Sequence, residues 1–323
     1  MQGGMAVSLG PEIRVAPLGV GAWAWGTKLL WGYGGSYGRE DAEGALRASL
    51  RSGVELVDTA EIYGNGASER IIGEILRSSD LERKPVIATK FAPLPYRLDP
   101  RSLLRALDGS LRRLGLESVD LYQVHFPSPL LKIEGLMDAL AEAVREGKTK
   151  AVGVSNYGAS QMRRAHERLA AHGVSLASNQ VRYSLLDRSP ETGGVLDACR
   201  ELGVTLIAYS PLAQGLLTGK YRPGVRPAGL ARRFDRRFGA QGLKEVEPVV
   251  STLERIARAR GKTPSQVALN WLITQQNVLA IPGAKNEAQA LQNAGALGWS
   301  LSPEEVGELD QITLHRRGPS RVR

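Results

Sequence analysis

The sequence predicts a (β/α)8 TIM barrel, and three observations predict it. Short β-branched, apolar runs recur eight times along the chain. Amphipathic stretches of roughly ten to eighteen residues separate them. The 323 residues exceed the typical barrel length of about 250 by enough to hold insertions and end extensions. No low-complexity segment or plain linker divides the chain, so one domain over residues 1–323 is expected.

Residues 1–16 are expected to form a short hairpin closing the barrel floor. The strands then begin at LGVGAW from Leu18, LVDTA from Leu56, VIATK from Val86, VDLYQVH from Val119, AVGVSN from Ala151, SNQV from Ser178, TLIAYS from Thr205 and VLAIPG from Val278. The segments DAEGALRASLRSG, RSLLRALDGSLRRLG and GLMDALAEAVREG repeat Leu or Ala at three- and four-residue spacing, which makes them crossover helices. A long loop over residues 219–242 follows the seventh strand. An added helix is expected at Thr263–Thr274, with Thr263 as cap and Pro264 at the first helical position. Residues 300–323 supply a terminal helix and tail.

Composition removes several function classes. No stretch approaches the roughly 18 consecutive apolar residues of a membrane span, and the start lacks a basic region followed by an apolar one. A soluble, unexported protein of the cytoplasm, or of the plastid stroma if the chain is a processed plastid form, is expected. The net charge of +9 is spread along the chain with one concentration, RRFDRR from Arg232, and no nucleic-acid module accompanies it. His125, His166, His172 and His315 lack partners at metal-ligand spacing, so no metal is expected. Cys199 is the one cysteine and sits on an amphipathic pattern, as a small core residue would. Gly19, Gly21 and Ala24 satisfy a G-x-G-x-x-[G/A] dinucleotide fingerprint, but aromatics and glycines replace the helix that must follow.

Three successive strands end on an ionisable residue: Asp58, Lys90 and His125, spaced one βα unit apart. Barrel strands point their C-terminal ends at one mouth, so these side chains converge, and Tyr63 joins them from the loop EIYGNG. Singly, Asp58 reads as a turn cap and His125 as a hydrogen-bonded core histidine. Lys90 is harder to dismiss, because a buried lysine needs an anion and Asp58 is available. The set suits carbonyl reduction by hydride transfer, which leaves negative charge on oxygen to be stabilised and protonated. Tyr63 is the candidate proton donor, with Lys90 as its electrostatic aid, Asp58 holding Lys90, and His125 orienting the carbonyl.

The motifs DTAEIYGNGASERIIG, VIATK and DLYQVH, followed in order by GVSNY, SNQVRYSLL, AYSPLAQGLLTGKY and IPGAKNEAQALQNAGAL, resemble those of the aldo-keto reductase family over nearly the whole chain. The wording is similar to that of bacterial and plastid members, some of which reduce pyridoxal. The resemblance implies a barrel that binds NADP(H) at the strand C-termini without a Rossmann domain. It implies that Ser155, Asn156 and Gln180 hold the nicotinamide carboxamide and that Tyr209 stacks on its ring. Ser210, Pro211, Leu212, Gln214, Gly215 and Lys220 match the pyrophosphate loop. Gly283, Lys285, Gln289 and Asn293 match the adenosine site, with Lys285 toward the 2′-phosphate, while Gln292 stands where many members have glutamate. Arg232 and Arg233 are either an additional clamp or a solvated charged segment.

Trp23, Trp31, Phe91 and Phe126, with Trp25 and Tyr96, are expected on the substrate side, a wall suited to aromatic or apolar aldehydes; packing in the core is the alternative for each. Two other functions stay open. One is a redox-sensing subunit that binds NADP(H) and turns over slowly, as channel-associated members of the family do. The other is a barrel lyase or isomerase needing no nicotinamide. Oligomeric state is not readable from the sequence.

Overall fold

The computed structural model describes residues 6–78, 80–221, 232 and 235–313. Two antiparallel strands, β1 (Val7–Ser8) and β2 (Arg14–Val15), open the chain. Eight parallel strands follow: β3 (Gly19–Gly21), β4 (Leu56–Asp58), β5 (Val86–Phe91), β6 (Val119–Val124), β7 (Thr149–Ser155), β8 (Leu176–Arg182), β9 (Thr205–Tyr209) and β10 (Val278–Ile281). Each pairs with its sequence neighbour. The ring closes through Gly21, whose N–H donates to the Pro282 carbonyl at 3.0 Å, and Ala280, whose N–H donates to that of Pro17 at 3.0 Å. A side chain at Gly21 would stand 3.1 Å from the Ile281 carbonyl, so a glycine there lets the seam close without crowding. The fingerprint of Gly19, Gly21 and Ala24 is thus a closing strand and a short 3-10 turn over Ala22–Ala24.

All eight strands expected from the sequence are present. The expected crossover helices appear at Arg39–Arg51, Ser102–Leu114 and Ile133–Arg145. Thr263 caps Pro264–Ile273 in a reciprocal pair with Gln266, the arrangement that satisfies two N–H groups at a helix start. Helix Ala240–Arg260 precedes it, and Pro303–Ile312 is the terminal helix. The tail from residue 314, including His315, and Arg233 lie outside the described residues.

Two apolar layers follow from the two-residue alternation of strands. Inward-facing Leu56, Ala88, Leu121, Ala151, Ile207 and Leu279 form a plug, and Leu9, Ile13 and Val15 of the hairpin segment pack beneath it. The hairpin therefore closes the barrel floor, and Thr205 ties it in by donating to the Ser8 carbonyl at 2.7 Å. Outward-facing strand residues and the inner faces of the helices form the larger layer, which includes Cys199 of helix Val195–Leu202. Burial pushes its thiol up to about 12, so it is an inert core residue. With the floor filled, the ionisable inward residues Asp58 and Lys90 stand toward the strand C-termini. Among the described residues no helix is long and apolar enough to cross a membrane.

Candidate active site

Asp58 ends β4, Lys90 is the penultimate residue of β5, and His125 follows β6. Lys90 is fully buried and Asp58 is 2% exposed. Lys90 Nζ donates to Asp58 Oδ1 at 2.6 Å, to the Thr59 carbonyl at 2.8 Å and to Tyr63 Oη at 3.4 Å. All three ammonium hydrogens are therefore used. Tyr63 arrives on a loop whose Gly64 has φ +57° and packs so closely on Gly26 that a side chain would stand 2.6 Å from the Gly26 carbonyl. That packing sets the half-buried Tyr63 ring between His125, at 5.7 Å between centroids, and Trp23, at 6.2 Å. The fold thus brings Asp58, Tyr63, Lys90 and His125 together.

Electrostatics divide the four by role. Burial lowers the Lys90 pKa, but Asp58 and Tyr63 outweigh it and hold the ammonium above its ordinary value. Burial raises Tyr63 and Asp58 adds to this, while Lys90 opposes both, so the phenol stays above its ordinary value of 10.0. The neighbours alone do not make Tyr63 acidic; Lys90 only limits the rise that burial imposes. Burial, then the Lys90 charge, push His125 down to about 3, which keeps the imidazole neutral. Its Nδ1 is buried with no hydrogen-bond partner among the described residues.

Beneath the ion pair lies a residue that the sequence reading missed. Gln123, fully buried, reaches Asp58 Oδ2 at 3.5 Å and accepts from Ser178 Oγ at 3.2 Å. A side chain at Gly153 would stand 2.2 Å from Ser178 Oγ, so the glycine of GVSNY opens the space for this pair. Gln123 lies two residues before His125 and so shares its inward face, a signal present in DLYQVH. Gln180 Nε2 also donates to Asp58 Oδ2, at 2.8 Å.

The other expected residues line the mouth from β7 round to β10. Ser155 Oγ donates to the Gln180 carbonyl at 2.7 Å and accepts from Asn156 Nδ2 at 3.1 Å; Tyr209 Oη donates to Asn156 Oδ1 at 3.0 Å. Ser210, Pro211 and Leu212 enter a turn in which Ser210, Ala213, Gln214 and Gly215 all have positive φ. Arg232 Nε donates to the Gln214 carbonyl at 2.9 Å, and its guanidinium lies 5.0 Å from the Trp31 ring. Across the mouth, Lys285 Nζ donates to the Trp31 carbonyl at 2.7 Å and lies 4.3 Å from the Tyr37 ring. Gln289 accepts from the Lys285 N–H at 2.9 Å, and Asn293 donates to the Gly283 carbonyl at 3.2 Å. Partial burial, then Arg232, lower Lys220; burial, then Arg232 and Lys220, lower Lys285. Three cations are thus held in mutual repulsion at one rim, a field that favours an anion.

Trp23 is 37% exposed at the mouth and meets Trp31 edge-on at 5.2 Å, and Phe126 lies 5.6 Å from His125. Phe91 does not belong to this wall. It follows Lys90 on β5, so alternation turns it outward, where it is fully buried in the helix-side layer with Arg97 4.9 Å from its ring. Trp25 is likewise fully buried and donates Nε1 to the Ala284 carbonyl at 2.8 Å. Tyr96 is 74% exposed in the loop that joins β5 to helix Ser102–Leu114, beside a cleft lined by that helix. Among the described residues no group of three or more His, Cys, Asp or Glu is placed to hold a metal ion.

The sequence model described as "Aldo/keto reductase family" matches residues 17–314. The chain belongs to the aldo/keto reductase family. It is 40% identical over 316 residues to the chloroplastic pyridoxal reductase of Arabidopsis thaliana, covering 94% of this chain and 84% of that protein. Among solved structures, the glycerol dehydrogenase AKR11B4 from Gluconobacter oxydans superposes with a TM-score of 0.84 at 28% identity, covering 98% of each chain. An aldo-keto reductase from Klebsiella pneumoniae, solved in complex with NADPH, superposes with a TM-score of 0.76 at 29% identity, covering 99% of this chain and 98% of that one. This aldo/keto reductase is therefore an oxidoreductase with a (β/α)8 fold, and the candidate site lies at the strand C-termini, the end where barrel enzymes in general carry their chemistry.

Proposed function

We propose that this enzyme reduces aldehydes or ketones to alcohols with NADPH, and that Tyr63 gives the proton to the carbonyl oxygen. One observation carries the reading: Lys90 Nζ joins Asp58 to Tyr63 Oη at the mouth, beside a neutral His125. The cofactor fits the residues present. Lys220, Arg232 and Lys285 form a cationic rim suited to its phosphates, Asn156 is exposed next to Tyr209, and Gly283 is exposed at the far end. When bound, NADPH supplies the hydride.

The chain's own part is positioning and proton transfer. A phenol above its ordinary pKa is protonated at neutral pH, which suits donation and hence the direction of reduction. As negative charge develops on the substrate oxygen, Tyr63 Oη passes its proton there and Lys90 stabilises the phenolate left behind. Asp58 keeps Lys90 charged. His125 acts as a neutral donor: leaving a lone pair at buried Nδ1 costs less than leaving an N–H, which puts its proton on Nε2.

The aromatic wall of Trp23, Trp31 and Phe126 supports aromatic aldehydes, and similarity to the Arabidopsis pyridoxal reductase adds pyridoxal as a candidate. NADPH oxidation followed with 4-nitrobenzaldehyde, methylglyoxal and pyridoxal tests the reading. Tight NADPH binding with no oxidation by any of them would replace it with a redox-sensing role.

A further inference from the structure

Helices Ala67–Ser78 and Ser102–Leu114 pack side by side outside β4 and β5; a cleft of about 370 Å³ opens at their junction, and one of about 620 Å³ runs along Ser102–Leu114 against the loop before it, with the carboxylates of Glu61 and Asp99 in its lining. Arg112, Arg113 and Gly109 line both. In the smaller cleft Arg70 and Arg77 join them, against the single carboxylate of Glu74, which is turned toward Arg39 at 3.7 Å. Arg113 is fixed by Glu69, buried beneath it, at 2.6 Å and by Ser110 at 3.1 Å. The other three guanidiniums meet no carboxylate among the described residues. Arg70 and Arg77 donate only to the carbonyls of Asn65 at 3.2 Å and Leu114 at 3.5 Å, and Arg112 has no partner there.

Gly109 is the second observation. Glycine is unfavourable inside a helix, and close packing where a side chain would go is one reason to keep it. Gly73 on the facing helix is of that kind: a Cβ there would lie 2.5 Å from the Leu114 carbonyl. At Gly109 no backbone intrudes. A Cβ would meet only the tips of Arg113, at 3.2 Å, and Arg112, at 3.9 Å, so it would project into the space between the guanidiniums. Helix packing does not require this glycine, but an open cleft floor does.

We propose that the cleft is a binding site for a phosphorylated small molecule carrying a planar ring, separate from the catalytic mouth. Guanidinium forks recognise phosphate oxygens through paired, charge-assisted hydrogen bonds, which places a diphosphate among Arg70, Arg77, Arg112 and Arg113. The larger cleft continues past Arg112 to Tyr96 and Leu98, 74% and 69% exposed, which offer an apolar face to the ring.

The test is calorimetric titration with pyrophosphate and with ADP, on protein saturated with NADP+, which fills the mouth, and separately on the cofactor-free triple variant Lys220→Ala/Arg232→Ala/Lys285→Ala, which removes the three cations of the rim. Both ligands are expected to bind in both settings with dissociation constants below about 1 mM. Arg112→Glu and Arg77→Glu, both on the surface, should each weaken them about tenfold or more. Gly109→Leu should do the same while its melting temperature stays equal or rises, which a glycine kept for packing would not allow. ADP should bind more tightly than pyrophosphate, and Tyr96→Ala should erase the difference. Absence of binding, loss of binding when NADP+ is present, or affinity unchanged in the two charge reversals overturns the site. Equal affinity for the two ligands overturns the role given to Tyr96.

Discussion

Lys90 and Asp58 meet at 2.6 Å in the barrel interior, the lysine fully buried and the aspartate 2% exposed. Breaking such a pair from one side leaves a buried charge without compensation, which costs about 3–5 kcal/mol. Asp58→Asn should therefore lower unfolding free energy by about that amount in denaturant titrations. It should also slow carbonyl reduction by on the order of 100-fold, since Lys90 loses the charge that keeps it protonated. A variant as stable as the parent would mean that the pair does not hold this layer.

Tyr63→Phe removes one hydroxyl and leaves the ring between Trp23 and His125. Reduction should fall by on the order of 100- to 10,000-fold, the range for a lost general acid. NADPH affinity should stay unchanged, because Lys90 keeps Asp58 and the Thr59 carbonyl as partners. Single-turnover kinetics with fluorescence titration separate the two effects. A retained rate would move the proton donor to another group.

The barrel and the convergence of Asp58, Lys90 and His125 were readable because both follow from the βα period. Phe91 was misassigned against a signal already present: next to an inward lysine on a strand, a residue faces outward. Gln123 was readable by the same alternation from His125, but glutamine is an ordinary strand residue whose type alone marks no chemistry. The bond from Gln180 to Asp58 spans 122 residues and exists only because barrel closure sets β8 across from β4. No local pattern carries that. The rise of the Tyr63 pKa is likewise a property of burial, which the loop EIYGNG does not display.

Reduction should be insensitive to pH through the neutral range. His125, at about 3, is neutral throughout, so its titration gives no limb near neutrality. Tyr63 and Lys90 both sit above their ordinary values and stay protonated. The single-turnover rate should be flat between about pH 5 and 9 and should fall only as alkali deprotonates Tyr63 above 10.0. A one-proton transition between pH 6 and 8 would show that His125 ionises in the working enzyme.

Lys285→Ala tests which cation meets the 2′-phosphate. Its ammonium is held by the Trp31 carbonyl and the Tyr37 ring, positions that fix it at the rim while burial, then Arg232 and Lys220, lower its pKa. An arriving phosphate relieves that repulsion, whereas a cofactor lacking it leaves the repulsion in place. The charge-assisted contact is worth about 1.5–3 kcal/mol, so the NADPH dissociation constant should rise on the order of 10- to 100-fold. The NADH constant should change little, because NADH has no group for Lys285 to meet. Equal losses for both cofactors would assign Lys285 to the diphosphate they share, and would leave the 2′-phosphate to Arg232 on the facing side of Trp31.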